Sequence, residues 1–269
     1  MVRASKSYHR WSVVQVGCRG VRMMRPPATP AVGADVSYLC SVAQSIDAAS
    51  LVLADHPRPS VAVDVAVLTV RDDALHVVVV PHRLLGLALP GTFLQQEERL
   101  ADAATRVLRD KAGLDEVKFS QLKVFDTPDR DNRGWVLSVG HSAALASSSI
   151  PGEVHLMPVT GGRASGPLLF DHEDMVALAV DVLRRQFGRA ADPAHLLAET
   201  FTVLELRRLY QAVFGRPLIK DTFRRYVIDA LESTGEMSST YGRPAELFRR
   251  RAGAELPTSA WAFFVGRGR

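Results

Sequence analysis

Leu89–Leu114, LPGTFLQQEERLADAATRVLRDKAGL, decides how the chain is read. Leu89-Pro90-Gly91 signals a turn, because proline and glycine are the strongest local breakers of regular structure. Between Glu97 and Ala112, the residues Leu100, Ala103, Ala104, Val107 and Leu108 recur at helical spacing and predict one apolar face. Gly113 then supplies the left-handed residue that commonly ends a helix. An amphipathic helix needs an apolar surface to lie on, and the preceding residues provide one. VAVDVAVLTV from Val61, the polar bend Arg71-Asp72-Asp73 and LHVVVVPHR from Leu75 predict two strands joined by a turn. Two strands, a glycine turn and a helix give an α/β layout.

Composition sets the bounds. A chain of 269 residues is one large domain or two small ones, and 47% hydrophobic content is enough to build real cores. Cys18 and Cys40 are the only cysteines and both lie near the start, so neither a disulfide framework nor a repeated metal-ligand spacing is present. A reducing cytoplasm is the expected compartment. No apolar run approaches the ~20 residues that span a bilayer. The valine-rich run from Val61 is broken by Asp64 and ends at Arg71, so no membrane partner is expected and the chain reads as soluble. Residues 1–57 are expected to be an N-terminal extension, partly flexible, because of the proline-rich Arg25–Gly33 segment; the alternative is a start at Met23 or Met24. Trp11–Cys18 faintly imitates a secretory leader, but Gln15, Arg19 and Arg22 argue against one. Ser41–Asp55 has the composition of a short helix.

The order of landmarks around the opening stretch resembles the Nudix family. Its box is written G-x(5)-E-x(7)-R-E-U-x-E-E-x-G-U, with U aliphatic. The register that fits places Thr92 at the glycine, Glu98 at the first glutamate and Arg106 at the arginine, followed by Val107, Leu108, Asp110, Lys111, Gly113 and Leu114. Pro81-His82-Arg83, Leu89-Pro90-Gly91 and Phe93 resemble the lead-in of ADP-ribose-type members. Gln121-Leu122, Phe125, Pro128, Arg130-Asp131, Arg133-Gly134 and Ser138-Val139 resemble the stretch that follows. The resemblance implies a Nudix α/β/α sandwich with a mixed sheet over residues 58–170. A working box gathers carboxylates because a hard divalent cation takes oxygen ligands. Here Glu98 and Asp110 keep their places, Val107 supplies no ligand and Lys111 supplies a positive charge. No metal site, no catalytic residue and no required cofactor are therefore expected. The alternative is a working hydrolase of ADP-ribose-like nucleoside diphosphates using Glu97, Glu98 and Asp110. A one-residue shift brings Gly91 and Glu97 into place for it, but moves Arg106 and Gly113 out of register.

Arg130 and Arg133 lie in a polar bend, DRDNRG, and guanidinium matches phosphate geometry with paired hydrogen bonds. The alternative is that they organise the loop with Asp129 and Asp131. Phe93 is suited to stacking on a base or to packing beside a sheet. By resemblance, Arg83, Phe93, Glu98, Arg106, Arg130 and Arg133 form the effector site.

From Leu145 to Phe170 the composition turns to Ser, Gly and Pro, which suggests irregular loops at a domain edge. Asp171–Phe187 reads as an amphipathic helix with Asp171 as N-cap. His172 with Glu173 and Asp174 invites a metal site, but neighbours on a helix point different ways, and acids at a helix start fit its dipole. Gly188–Pro193 reads as a linker, so that residues 171–192 are helix and linker. In the last segment, 193–269, Thr202 and Glu205 form a capping box for a helix ended by Gly215-Arg216-Pro217. A second helix is expected from Lys220 through FRRYVIDALEST to Gly235, then a basic hairpin. That is the layout of a winged helix-turn-helix, an α+β domain.

Charge agrees. Phe201–Arg269 holds 12 Arg and Lys against 7 Asp and Glu, and 12 − 7 = +5, while the whole chain is +4. Such an excess draws a domain to phosphates. Arg216, Lys220, Thr222, Arg224, Arg225 and Arg243 are the expected DNA contacts, with Arg249–Arg251 in the wing. FTVLELRRLYQAVFGRPLIKDTFRRYV and GRPAELFR resemble the winged-helix signature of the NrtR group, the Nudix-related transcriptional regulators of bacterial NAD metabolism. The resemblance implies a homodimeric, nucleoid-associated cytoplasmic repressor on palindromic operator DNA, with ADP-ribose or a related NAD derivative as its small-molecule nucleotide effector.

Overall fold

β1 (Ser60–Arg71) is buried on both faces along most of its length, and its two faces organise two layers. Side chains alternate along a strand. Val63, Val65 and Val67 accordingly join a cluster with Ala103, Ala104 and Val107, whereas Ala66 and Leu68 join one with Met175 and Val176. The computed structural model describes residues 56–238 and 244–266. The readings placed on the N-terminal extension, on Cys18 and Cys40, and on Arg243 lie outside the described residues.

β1 turns into β2 (Ala74–His82) through Asp72 and Asp73, both left-handed at φ 52° and 57°, as a two-residue hairpin requires. Short strands β3 (Gly86–Ala88) and β4 (Gly91–Phe93) pair with β2 and β1. Next come helix α1 (Leu100–Ala112), β5 (Phe119–Phe125), β6 (Val136–Ala144), β7 (His155–Thr160), β8 (Arg163–Ala164) and helix α2 (His172–Phe187). The main path of the sheet runs β5-β6-β1-β2-β7-β8. The β1–β6 pair is parallel and the β1–β2 pair antiparallel, so the sheet is mixed. With α1 on one face and α2 on the other, this is an α/β/α sandwich.

Several expectations meet a correction. Helix α1 starts at Leu100, after Glu97 and Glu98; Glu97 is left-handed at φ 64°. Gly113 does end it, at φ 59°. The Ser/Gly/Pro-rich region 145–170 carries two strands, because β7 still finds a partner in β2. Asp171 precedes α2 but makes no capping hydrogen bond with its side chain; its carboxylate is taken by Arg130.

The winged helix-turn-helix is built from β9 (Phe201–Thr202), α3 (Val203–Phe214), α4 (Lys220–Val227), β10 (Leu231–Met237), β11 (Glu246–Arg250) and α5 (Ser259–Val265). The Thr202–Glu205 capping box is present and contributes about 1 kcal/mol. The second helix is shorter than expected: it ends at Val227, and LESTGEM is a wing strand because β11 pairs with it. Helix α5 comes in addition to the elements expected from the sequence, and its Phe264 packs on Tyr210 at 4.8 Å between ring centroids.

The Gly188–Pro193 linker is instead a packed joint. Asp192 is fully buried, accepts the N–H groups of Leu196 and Leu197, and pairs with Arg250 of β11. The Tyr210 hydroxyl donates to the carbonyls of Phe187 and Ala190. A single apolar cluster runs from Leu68 and Leu75 of the sheet through Met175 and Phe187 to Tyr210 and Phe248.

Candidate functional site

The base of the site is Asp64, the polar residue inside the apolar run VAVDVAV. Alternation along β1 turns it to the α2 side, where it is 6% exposed. Ser138 Oγ donates to Asp64 Oδ2 at 2.5 Å, and His172 Nε2 lies 3.4 Å from Oδ1. The Leu89 N–H donates to His172 Nδ1 at 2.9 Å, which leaves Nε2 to carry the ring proton toward Asp64. Burial pushes the Asp64 pKa up, but the His172 and Ser138 hydrogen bonds and the Arg130 charge outweigh it and hold it below the usual carboxylate range. Gly91 faces Asp64 across the β1–β4 pair, and a Cβ there would stand 1.8 Å from Oδ1. Any side chain at this position would displace the carboxylate.

Above Asp64 lies a cavity of about 320 Å³ between the His82–Arg83 and Gly91–Phe93 segments, the Arg130–Arg133 bend and the start of α2. Its wall carries four cations, Arg83, Lys111, Arg130 and Arg133, against two carboxylates, Asp64 and Asp131. The field is felt by His82, whose pKa is lowered first by burial and then by Arg133, Lys111 and Arg83. Phe93 and Phe170 flank the Arg133 guanidinium at 5.5 and 5.3 Å. Phe170 is left-handed at φ 60°. A bulky side chain held there costs about 1–3 kcal/mol and persists only where the surroundings impose it. A larger cleft of about 660 Å³, between β5, β6 and α2, has one cation, Lys118, beside Glu116, and no converging charge.

Of the residues expected at the effector site, the cavity brings together Arg83, Phe93, Arg130 and Arg133. Glu98 and Arg106 are elsewhere. Arg106 donates to both Glu98 oxygens, to Thr92 Oγ1 and to the Phe93 carbonyl, while Glu98 also accepts the Gln95 N–H. This pair ties the loop before α1 to the helix. The two bend arginines show both kinds of chemistry weighed from sequence. They line the cavity, yet Arg133 pairs with Asp131 at 2.5 Å and Arg130 with Asp171 at 2.5 Å. Sequence reading missed Asp64, His82 and Phe170, and set His172 aside. The signal for Asp64 was present, since a carboxylate in an otherwise apolar strand needs a partner.

A divalent ion does not fit the box. Val107 is 1% exposed in the α1 core face, Glu98 is committed to Arg106, and Asp110 is exposed beside Arg109. Among the described residues no group of three or more His, Cys, Asp or Glu is placed to hold a metal. Lys111 Nζ instead donates to the Gly91 carbonyl at 2.5 Å. Partial burial lowers the Lys111 pKa, with Asp64 opposing and Arg83 and Arg106 adding to the fall.

The second site is the outer face of α4. Lys220, Arg224 and Arg225 are exposed there and Thr222 is half-buried, while Phe223 and Val227 turn into the core. Arg207 of α3, which is not among the expected DNA contacts, shares a cleft with Lys220 and Arg224. Arg216 points away and donates to the Phe263 carbonyl of α5. Strand alternation splits the wing arginines: Arg249 is exposed, Arg250 turns inward to Asp192, and Arg251 donates to the Leu231 carbonyl.

A cationic, carboxylate-backed cavity in an α/β/α sandwich, joined through one core to a winged helix with a basic second helix, defines a class: a Nudix-type domain fused to a winged-helix module. A family model, the NrtR DNA-binding winged helix domain, matches residues 193–250. The ADPR responsive transcriptional repressor NtrR of Acinetobacter baylyi is 31% identical over 209 residues, covering 72% of this chain and 83% of that protein. The crystal structure of Shewanella oneidensis NrtR complexed with a 27mer DNA superposes with a TM-score of 0.60 at 28% identity, covering 71% of this chain and 93% of that one. An ADP-ribose pyrophosphatase of Methanocaldococcus jannaschii is 33% identical over 94 residues, 35% of this chain and 51% of that enzyme. The chain belongs to the NrtR family of Nudix-related transcriptional regulators. Among the described residues no helix is long and apolar enough to cross a membrane.

Proposed function

We propose that the chain is a repressor that binds operator DNA near genes of NAD synthesis or salvage and leaves it when ADP-ribose, or a related NAD derivative, fills the cavity above Asp64. The observation that carries this reading is helix α2. Phe170 and His172, at its start, line the cavity, and Asp171 holds Arg130. Phe187, at its end, packs on Tyr210 in the winged helix at 5.2 Å, and Arg184 donates to the Val213 carbonyl of α3. A ligand that rearranges the Arg130–Asp171–His172 group therefore acts on an element that is packed directly on the winged-helix core. Arg83, Phe93, Arg130 and Arg133 are the effector contacts in this reading, and Lys220, Thr222, Arg224 and Arg225 the DNA contacts. Glu98 and Arg106 support the loop that carries Phe93. A homodimer on a palindromic site fits it, because two copies of α4 would meet two half-sites.

In this reading the effector is bound without turnover, since Val107 and Lys111 stand where two carboxylates of the box would be and Glu98 is held by Arg106. The deciding measurement is an operator titration with promoters of NAD-synthesis genes, with and without ADP-ribose. A coupling of about 1–3 kcal/mol weakens DNA binding by roughly 5- to 150-fold. Indifference to ADP-ribose would remove the sensor, and turnover of ADP-ribose with Mg²⁺ on an enzymatic scale would restore the hydrolase reading. Lys220→Ala with Arg224→Ala should weaken operator binding and flatten its salt dependence without changing ADP-ribose affinity.

A further inference from the structure

Four cations line the cavity, but they are not equally free. Arg130 gives two nitrogens to Asp171 and has Asp64 Oδ2 3.8 Å away, and Arg133 is paired with Asp131. Arg83 stands on the exposed segment after β2, with no hydrogen bond or ion pair among the described residues. Lys111 differs from all three. It sits on the last turn of α1, and its one described hydrogen bond goes to a neutral acceptor, the Gly91 carbonyl. A cation held by a carboxylate is largely neutralised locally, whereas one held by a carbonyl keeps its charge and, for an ammonium, two further N–H donors.

The position is also informative. Backbone carbonyls and carboxylates are the ligands a hard divalent ion takes. Lys111 stands at one of the box positions where a working enzyme has a carboxylate, and its ammonium occupies the Gly91 carbonyl oxygen. The misfit between this box and a metal is thus accompanied by a positive charge already in place at the cavity wall.

We propose that Lys111, anchored on the Gly91 carbonyl, is the resident cation that receives the diphosphate of the ligand, so that binding proceeds without a divalent ion. This rests on reading the cavity as a nucleoside-diphosphate site. ADP-ribose and inorganic pyrophosphate serve as separate probes, each titrated calorimetrically into the full chain in EDTA and in Mg²⁺. The wild-type protein should bind both probes with and without the metal to within about threefold. Lys111→Met should weaken both by about tenfold to a hundredfold, the range for one charge-assisted hydrogen bond. Lys111→Arg, which keeps the charge, should recover most of the loss, and circular dichroism should show the same fold in all three proteins. Binding that disappears in EDTA, or a Lys111→Met protein that binds as wild type, overturns the inference. Pyrophosphate bound in a Lys111-dependent way while ADP-ribose is ignored keeps the inference and discards the ADP-ribose reading. Failure of both probes discards both.

Discussion

Two Arg–Asp pairs flank helix α2, and they are built for different purposes. At its start Arg130 meets Asp171, and just past its end Arg250 meets Asp192. In the second pair it is the carboxylate that is sealed: the Asp192 side chain is 0% exposed and Arg250 12%, and Arg250 also donates to the carbonyls of Leu197 and Ala198. In the first pair the arginine is the buried partner, at 3% exposed, and the carboxylate is the open one. The Asp171 side chain is 18% exposed, and Arg130 lines the cavity with Asp64 as a second carboxylate within reach. An arginine held by a buried carboxylate and two backbone carbonyls has little to exchange, whereas one that lines a cavity between two carboxylates can change partner when an anion competes for it. The same helix is thus packed on the winged helix at one end and lines the cavity at the other.

The largest effect should come from breaking the second pair. Asp192→Ala leaves the Arg250 charge uncompensated and removes the acceptor for the Leu196 and Leu197 N–H groups. A loss of about 3–5 kcal/mol is expected from urea unfolding. Because one apolar cluster crosses the joint, sheet and winged helix should unfold together. Two separated transitions, or a loss below about 1 kcal/mol, would show that the joint is a linker after all.

That joint also marks where the sequence stopped being legible. GRAADP reads as a linker because glycine, alanine and proline are loop residues and Asp192 looks like surface charge. Its partner Arg250 lies 58 positions away in a run of three arginines, and only strand alternation in β11, once formed, turns the middle one inward. Local signals were dependable where the cause is local. The Thr202–Glu205 capping box, the Gly113 stop and the Asp72-Asp73 hairpin all follow from residues within a few positions of each other. The family blocks led to Arg83, Phe93, Arg130 and Arg133, which the fold places on one cavity. Asp64, His172 and Ser138 assemble only through β1–β6 pairing and the docking of α2, so no stretch of sequence announces them.

Opening the other pair should cost less stability and more coupling. In Asp171→Ala, Arg130 keeps Asp64 3.8 Å away, so about 1–3 kcal/mol of stability is expected to go. The proportional effect of ADP-ribose on operator affinity should fall toward one, while operator affinity without ligand stays near wild type. Retention of the full ADP-ribose effect would mean that the signal leaves the cavity by a route other than the start of α2.

The smallest effect belongs to a third pair, Glu98–Arg106, whose hydrogen bonds go to the loop before α1 and not to α2, and which serves as a control on the comparison. Glu98 is held at a pKa of about 2, below the usual 4.5, first by the Arg106 hydrogen bond and then by the Gln95 N–H. A carboxylate depressed on folding stabilises the folded state in full above its unfolded pKa and loses that contribution as pH falls through its folded pKa. Wild type should therefore exceed Glu98→Gln in stability at pH 6, with the gap closing between about pH 4.5 and 2. The pair is near the surface and salt screens it, so the gap should be modest and shrink in high salt. Asp131, likewise lowered by its hydrogen bond with Arg133, is unchanged in this variant and keeps part of the acid sensitivity. If the gap persists below pH 2, the benefit of Glu98 lies in its shape against the Gln95–Arg106 loop and not in its charge. The loop would then hold Phe93 at the cavity mouth independently of pH.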